Sequence, residues 1–261
     1  MPCDIICPVL KNERIADDIM LLWLDVDAGK KDEYQPGRFV HMKIPNRPDL
    51  ILRRPISING YDNVVGRLEL VYQVKGQGTE QLVDCQPGDT IALIGPLGKG
   101  YPVPRGTKRA LLVGGGIGCA PLKMLPACHP DIQFDAILGF RNRDCIYQLE
   151  DFQTLCEDVI LMTDDGSAGE KGFVTDALQR YLQSDNRTDV LYVCGPPPMY
   201  KALKPILDTV DKPIYISLEE RMGCGMGACV VCTCKIKRDG VVENRRVCVE
   251  GPVFPYEEVV L

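Results

Sequence analysis

The sequence has 261 residues, of which 45% are apolar and 25% are charged, so it has room for two domains and the composition of an ordinary globular protein. A net charge of −6 at pH 7 argues against nucleic acid as a partner, and no apolar run reaches the ~18 residues of a membrane span. The first residues lack the pattern of a secretory signal, and thirteen cysteines without such a signal indicate a reducing cytoplasm.

Residues 1–100 alternate between short β-like runs and breaks rich in Gly, Pro, Asn and Asp. Strands at such short spacing predict an antiparallel barrel or a sandwich, with one short helix around residues 79–83. The predicted strands are IICPVL, DIMLLWLDV, RFVHMKI, LRRPISI, RLELVYQV and DTIALIG.

From residue 101 onward, strands alternate with helices, which predicts a Rossmann-like parallel α/β domain. The fold class is therefore α+β with several domains: a β domain at 1–100, an α/β domain at 101–216 and a small cysteine-rich unit at 217–261. The α/β strands are predicted at RALLVGGG, IQFDAILGF, DVILMTDDG, VLYVCGPPP and PIYISL, and its helices at IGCAPLKMLPAC, FVTDALQRYL and PMYKALKPIL.

Four cysteines of the third unit follow the spacing C-x4-C-x2-C-x15-C, which is the plant-type pattern for a 2Fe–2S cluster. Glycines near the first two would let the loop approach a cluster and direct backbone N–H groups at its sulfurs. A structural zinc site would also use cysteines, but such sites usually present two CxxC-like pairs. Cys234 breaks the pattern and is left out. The predicted ligands are Cys224, Cys229, Cys232 and Cys248.

Two motifs follow predicted strands of the α/β domain. LLVGGGIGCAPLKML leads through glycines into a helix whose N-terminus suits a pyrophosphate, although such glycines can also serve strand–helix packing alone. VLYVCGPPPMYKAL ends its strand at the edge where open α/β sheets bind ligands, although its cysteine taken alone is better explained as a buried thiol. The residues concerned are Gly114, Gly115, Gly116, Gly118, Cys194, Gly195 and Pro196.

Two further motifs in the β domain are candidates for binding a diphosphate. LRRPISI carries Arg53 and Arg54 in an apolar strand, where an arginine fork can meet a diphosphate or can simply be a surface charge. VKGQGTEQL places Gly76, Gly78 and Thr79 before a short helix, which suits an anion but equally suits a turn with a capping Thr.

Taken together, RRPISI, GxGT, GGGIGCAPL, CGPPPM and EERMxCGxGxC resemble motifs of the ferredoxin reductase superfamily. The added cysteine segment narrows the resemblance to the electron-transfer subunits of NAD-dependent (class 1B) dihydroorotate dehydrogenase. The order of the motifs agrees with that family over nearly the whole chain.

The resemblance implies an FAD site in the β domain, with Arg54 on the pyrophosphate and Ser57 near the flavin ring. The superfamily usually has Tyr where Ile56 stands, so stacking on the flavin at that position is in question. The residues implied to hold FAD are Arg54, Pro55, Ile56, Ser57, Val71, Tyr72, Gln73, Gly78 and Thr79.

The resemblance also implies that NAD lies on residues 114–118 and 194–196, with Cys194 near the nicotinamide. The residues themselves do not decide between NAD and NADP. Arg141 and Arg143 could meet a 2′-phosphate, and Asp164 and Asp165 are the acidic residues available for a ribose hydroxyl. The family resemblance favours NAD.

In the family, electrons from dihydroorotate leave the FMN of a separate catalytic subunit and pass through 2Fe–2S and FAD to NAD+, in pyrimidine (UMP) biosynthesis. The resemblance thus implies an FMN-containing partner, in a heterotetramer with two copies of each subunit. A sulfhydrogenase gamma subunit or the small subunit of a ferredoxin:NAD(P) oxidoreductase would have the same build. The residues are also compatible with a zinc-bound binding module and with a reductase that acts without a partner.

Overall fold

A computed structural model describes residues 4–184 and 188–261. It shows a closed six-stranded barrel, a seven-stranded sheet and a two-stranded hairpin, in that order along the chain. The predicted fold class is confirmed: an antiparallel β-barrel precedes a parallel α/β domain and a small cysteine-rich segment. Within the described ranges, the helices are all too short or too polar to cross a membrane.

The barrel closes because each strand buries an alternating set of apolar side chains, among them Leu22, Leu68 and Leu70. All six predicted strands are present. The first is longer than expected, because two register shifts let it bend and continue through KNERIA. In barrel order β1-β2-β5-β4-β3-β6 the strands are β1 (Ile5–Ala16), β2 (Ile19–Asp25), β5 (Arg67–Gln73), β4 (Arg54–Asp62), β3 (Phe39–Met42) and β6 (Thr90–Leu97), with helix α1 (Gln77–Val83) between β5 and β6.

The central sheet has the order β10-β9-β8-β7-β11-β12-β15, and its first six strands are parallel. The chain leaves β7 to one side through β8 and returns to its other side at β11, so the strand order reverses between β7 and β11. The strands are β7 (Arg109–Gly115), β8 (Gln133–Phe140), β9 (Asp158–Thr163), β10 (Glu170–Lys171), β11 (Val190–Cys194), β12 (Ile214–Ser217) and β15 (Val253–Pro255).

Four helices cover this sheet, and helix α3 was not predicted. The core under them includes Leu111 and Val113 on one face of β7, and Leu112 on the other. The barrel docks on this domain through Asn59 of β4, whose buried amide donates to the carbonyl of Ala120 at 2.9 Å. The helices are α2 (Ala120–Cys128), α3 (Leu149–Leu155), α4 (Val174–Gln183) and α5 (Pro197–Leu207).

The cysteine-rich segment is attached to both larger domains. Its hairpin, β13 (Thr233–Arg238) and β14 (Val241–Arg246), follows the first cysteines. Strand β15 then pairs antiparallel with β12 and so completes the central sheet. On the other side, Phe39 of the barrel packs in one apolar core with Cys232 and Cys248. The segment therefore bridges the barrel and the α/β sheet.

Candidate functional site

The predicted flavin strands separate at the predicted site. The ladder between β4 and β5 runs from Asp62 to Ile58 and ends there, while residues 54–57 pair with β3 instead. Residues 71–73 pair with β2. The barrel wall thus opens between 54–57 and 71–73, which places a cleft between the two segments that the sequence predicts to hold FAD.

Arg54 and Gly78 come together in this region although they belong to different motifs. A Cβ on Gly78 would lie only 2.6 Å from Nε of Arg54, so the guanidinium lies directly over the first turn of α1. Arg53, in contrast, pairs with the carboxylate of Asp4 at 2.7 Å. Of the two adjacent arginines, Arg54 is therefore the one placed to join a helix N-terminus in binding a diphosphate.

The other predicted flavin residues have mixed surroundings. The hydroxyl of Thr79 is used inside its own turn, where it accepts from the N–H of Lys75 (2.9 Å) and of Gly76 (3.2 Å). The ring of Tyr72 is buried in the barrel core and its hydroxyl donates to Asn12. Ile56 packs against that same core. The side chains of Thr79, Tyr72 and Ile56 therefore make their contacts within the protein.

The remaining predicted flavin residues differ in exposure. Val71 is buried where the barrel meets the α/β domain, whereas Gln73 is half-buried at the end of β5. Pro55 and Ser57 are half-buried and pair with His41 and Phe39 of β3. Since directly paired residues share a face of the sheet, Pro55 and Ser57 lie on the face of the barrel that meets the cysteine-rich segment.

We call the carboxyl ends of β7 and β11, residues 114–118 and 194–196, the nucleotide edge. It lies where the strand order reverses, which is where open α/β sheets bind ligands. Most glycines here allow close packing: a Cβ on Gly118 would lie 2.3 Å from the carbonyl oxygen of Cys194, and one on Gly115 would lie 2.4 Å from Sδ of Met199. Gly116 differs, because it has φ +54° and faces open space.

Three more residues of the nucleotide edge have packing roles. A Cβ on Gly114 would lie 2.7 Å from Sγ of Cys119, and one on Gly195 would lie 2.3 Å from Cε of Met199. Pro196 precedes α5, and its carbonyl accepts from the N–H of Met199 at 2.9 Å. The strand–helix packing that the sequence left open therefore applies to much of this motif, and Gly116 is the position that faces outward.

The thiol of Cys194 is enclosed. Burial raises the pKa of Cys194 to about 12, although Ser217, Tyr101 and Tyr200 lie beside it and oppose the shift. Its neighbour Gly195 donates an N–H to the hydroxyl of Tyr200 at 3.2 Å, and that hydroxyl donates to the carbonyl of Ser217 at 2.5 Å. Cys194 is thus a neutral thiol at pH 7, which suits contact with a nicotinamide ring and not nucleophilic attack.

Residues 223–232 form a loop that we call the cluster loop. The backbone N–H groups of Met226 and Cys229 each lie 3.4 Å from Sγ of Cys224, and the N–H of Cys224 lies 3.4 Å from Sγ of Cys229. Gly225 has φ +71°, a conformation that favours glycine and that turns these groups inward. Burial raises the pKa of Cys224, but hydrogen bonds from the N–H groups of Cys229 and Met226 outweigh it, so that the pKa falls to about 7.

The other two predicted ligands form a second, deeper pair. Cys232 and Cys248 are almost fully buried, and burial together with a hydrogen bond to Cys232 raises the pKa of Cys248 to about 12. Cys234 donates its thiol to the carbonyl of Arg245 at 3.6 Å, inside the hairpin. Among the described residues, no three His, Cys, Asp or Glu side chains converge as on a single metal ion.

Four cysteines in two adjacent pairs, with backbone N–H groups directed at the outer pair, fit the ligand set of a 2Fe–2S cluster. Each iron of such a cluster takes two thiolates, so two pairs are the arrangement that it needs. The donor set consists of cysteine thiols alone, and two glycines, Gly225 and Gly227, leave room for close approach.

The sequence did not indicate a clamp on this loop. Arg246 donates from Nη1 to the carbonyl of Gly227 at 3.1 Å, which ties the segment before Cys248 to the cluster loop. Glu250 holds Arg246 in place, because it accepts from both the N–H (2.8 Å) and Nε (3.2 Å) of Arg246. Hydrogen bonds from the Arg246 N–H, then from the side chain of Arg245 and from that of Arg246, lower the pKa of Glu250 to about 2. The i, i+4 spacing of Arg246 and Glu250 is the signal that could have revealed the pair.

The candidate residues for nucleotide choice lie at the ends of β8 and β9. Arg143 donates to the carbonyl of Ser167 at 2.6 Å, and the hydroxyl of Ser167 donates to Asp165 at 2.6 Å. Ser167 therefore links the two candidate residues Arg143 and Asp165. Arg141 and Asp164, of opposite charge, remain at the ends of the two strands, and burial raises the pKa of Asp164 while Arg141 opposes that shift.

Comparison with known families divides the chain into three matching parts. Residues 6–101 match an oxidoreductase FAD-binding domain and residues 112–204 an oxidoreductase NAD-binding domain. Residues 219–260 match the iron–sulfur cluster binding domain of dihydroorotate dehydrogenase B. An FAD-binding, an NAD-binding and an iron–sulfur binding domain therefore follow one another in this chain.

Curated relatives match over almost the full length. The dihydroorotate dehydrogenase B (NAD(+)) electron transfer subunit of Geobacillus sp. (strain WCH70) is 41% identical over 97% of both chains. The subunit of the same name from Bacillus caldolyticus is 43% identical over 87% of both chains.

Among solved structures, a chain of an NADH-dependent reduced ferredoxin–NADP oxidoreductase, studied for flavin-based electron bifurcation, is 29% identical. It superposes with a TM-score of 0.86 and covers 100% of this chain, which in turn covers 91% of it. A cytochrome P450 reductase from Amycolatopsis, 25% identical with a TM-score of 0.67, covers 82% of this chain, which covers 69% of it.

Proposed function

This chain belongs to the family of electron transfer subunits of dihydroorotate dehydrogenase B, and from that membership we propose that it carries electrons from an FMN-containing catalytic subunit to NAD+. The electrons would pass through a 2Fe–2S cluster and FAD. The subunit thereby serves the oxidation of dihydroorotate to orotate in pyrimidine (UMP) biosynthesis.

The observation that carries this proposal is the position of the cysteine-rich segment between the two other domains. Phe39 of β3 lies in the same apolar core as Cys232 and Cys248, and β3 pairs with the flavin strand β4. Strand β15 of the same segment pairs with β12, next to the nucleotide edge. One small unit thus contacts the strands that lead to both cofactor sites.

The residues of this chain have separate tasks in this function. Arg54 and the first turn of α1 would bind the FAD pyrophosphate, and Ser57 would face the flavin ring. Gly116 provides access for the dinucleotide at the nucleotide edge, and the neutral Cys194 would lie against the nicotinamide. When bound, 2Fe–2S exchanges single electrons, and FAD links single-electron exchange with hydride transfer.

The chemistry of the reaction leads us to expect a partner subunit. The three matching domains account for FAD, NAD and the cluster, so the oxidation of dihydroorotate needs a site on another subunit. We propose an FMN-containing catalytic subunit, two copies of each subunit in the complex, and a cytoplasmic location where reduced thiols remain available for iron.

A ferredoxin:NAD(P) oxidoreductase small subunit is the second candidate. The solved structure that is 29% identical, with a TM-score of 0.86, comes from an NADH-dependent reduced ferredoxin–NADP oxidoreductase. The curated relatives at 41% and 43% identity favour the first candidate. A sulfhydrogenase gamma subunit has the same build, and its partner would distinguish it.

The test starts from the chain purified without oxygen and titrated with NADH. Flavin and iron–sulfur absorption bands that bleach together support the proposed cofactors, whereas a colourless, zinc-containing protein contradicts them. The FMN-containing subunit encoded by the same organism is then added. Dihydroorotate-dependent reduction of NAD+ supports the proposed function. A complex that instead reduces NAD+ only with reduced ferredoxin supports the second candidate.

A further inference from the structure

His41 of β3 is buried without a hydrogen-bonding partner. Its side chain is 0% exposed, and within the described part of the chain neither Nδ1 nor Nε2 has a partner. An imidazole carries at least one N–H donor in either protonation state. The backbone carbonyls of Arg53 and Cys224 approach the ring, but neither meets it with hydrogen-bond geometry. A buried donor without a well-aligned acceptor costs ~1–3 kcal/mol, so the ring has the capacity to donate to a further acceptor.

The ring of His41 lies under the cluster loop. Along β3, Val40 and Met42 point into the barrel core, so Phe39 and His41 point outward, toward the cysteine-rich segment. A Cβ on Gly225 would lie 2.5 Å from Nδ1 of His41, which leaves the ring and the loop backbone in direct contact. Gly225 immediately follows the predicted ligand Cys224.

The same ring also borders the predicted flavin strand. His41 is the direct strand partner of Pro55, which stands between the two residues expected on the FAD, Arg54 and Ser57. The side chain is thus enclosed by the cluster loop on one side and by the start of β4 on the other.

We propose that His41, which lies between the cluster loop and the flavin strand, donates an N–H hydrogen bond to the iron–sulfur centre held by that loop. This hydrogen bond raises the reduction potential of the centre. This inference rests on the proposed function for its cofactor. A donor to a cluster sulfur stabilises the more negative, reduced state. His41 is a positioning residue, because it acts on the potential at which an electron passes toward FAD.

The chain offers a direct test, because it contains two histidines. The second, His129, follows α2 in the α/β domain. The holoprotein is labelled with ¹⁵N-histidine, reduced with dithionite and examined by pulsed EPR for hyperfine coupling of ¹⁵N to the cluster. We expect a coupling in the wild type and in the control His129→Gln, and its loss in His41→Gln.

A normal 2Fe–2S EPR signal without ¹⁵N coupling in the wild type would overturn the role of His41 and leave the proposed function intact. The absence of any 2Fe–2S signal would overturn both. The wild-type measurement needs no substitution, so the result does not depend on whether a variant folds.

A redox titration followed by EPR measures the size of the effect. We expect His41→Leu to lower the equilibrium constant for one-electron reduction of the cluster about tenfold, equivalent to about 59 mV. His41→Gln keeps an N–H donor and should retain much of the wild-type potential, and the FAD potential should remain unchanged in both variants. Equal potentials in the wild type and His41→Leu, or equal shifts in the two variants, would show that the ring serves packing alone.

Discussion

The cluster loop and the nucleotide edge both contain cysteine, but the backbone places the thiols in opposite environments. In the cluster loop, Cys224 accepts from the N–H groups of Met226 and Cys229. At the nucleotide edge, Cys194 is enclosed among hydroxyl groups and burial raises its pKa to about 12. Backbone N–H donors therefore distinguish Cys224 from Cys194, and residue type alone does not.

The structural reason for a glycine also differs between the cluster loop and the nucleotide edge. Gly225 is needed in the cluster loop for its positive φ of +71°. Gly118 is needed at the nucleotide edge because any side chain would meet the backbone of Cys194. The first requirement concerns backbone conformation and the second concerns space.

Serine substitutions test the contrast between the two cysteines most strongly. We expect Cys229→Ser to lose the 2Fe–2S EPR signal while the chain retains FAD, because the ligand lies in a separate segment from the flavin strands. Cys194→Ser is the matched control and should keep both the cluster and FAD, since its thiol takes no part in metal binding. An unchanged 2Fe–2S signal in Cys229→Ser would contradict the ligand assignment.

Alkylation tests the same contrast without any substitution. At pH 8, a thiol with a pKa of about 12 has a thiolate fraction of about 10⁻⁴, against about 0.2 for a free cysteine. We therefore expect iodoacetamide to leave Cys194 unmodified in the folded chain and to modify it rapidly in urea. In the iron-free chain, the exposed Cys229 should react in the folded state as well.

Peptide mass spectrometry after short reaction times gives the rate at each cysteine. Rapid modification of Cys194 in the folded chain at pH 8 would contradict its enclosed, neutral state. Because the pKa is raised, the rate of modification should rise about tenfold per pH unit above pH 8 and level off only near pH 12, whereas the rate for a free cysteine levels off above about pH 8.5.

Alanine substitutions test the two requirements for glycine. In Gly118→Ala, the new Cβ would lie 2.3 Å from a backbone oxygen, so the turn that follows β7 must move away from the end of β11. We expect a loss of about 2–3 kcal/mol in the free energy of unfolding, measured with urea, together with weaker NAD binding. Gly116→Ala meets open space and should cost about 1 kcal/mol for its positive φ. Equal losses in the two variants would argue against packing as the reason for Gly118.

Local patterns in the sequence were enough to predict the six barrel strands, five of the seven strands of the central sheet, and the four cysteines as a set. Alternation of apolar residues specifies a strand wherever one face is buried, and the C-x4-C-x2-C spacing lies within one loop. These features depend on neighbours in the chain, so they can be found without knowing the fold.

The features that the sequence did not indicate depend on distant parts of the chain. Strand β15 has three residues and forms because β12 offers an open edge. Tyr72 points into the barrel because of the register of β5, which the pattern of the strand alone did not determine. The contact of His41 with Gly225 joins residues from two domains, and only the folded chain brings them together.

Removing the clamp between Arg246 and the cluster loop should have the smallest effect of the changes considered. The effect is a faster loss of iron. Arg246→Ala removes the hydrogen bond to the carbonyl of Gly227, so the N–H donors of the loop should be held less well. We expect iron loss to a chelator to be about threefold faster, which corresponds to about 0.7 kcal/mol and is typical of a partly exposed hydrogen bond. The signal to follow is the visible absorption of the cluster.

Arg245→Ala is the matched control for this clamp. Arg245 also pairs with Glu250, at 2.7 Å, and with Glu243, but the hydrogen bond from the clamp to the cluster loop comes from Arg246. Iron loss from Arg245→Ala should therefore stay close to the wild-type rate. If both variants lost iron equally fast, the relevant interaction would be the charge around Glu250. If only Arg246→Ala did so, the N–H groups of the cluster loop would owe their orientation to a hydrogen bond made outside the loop.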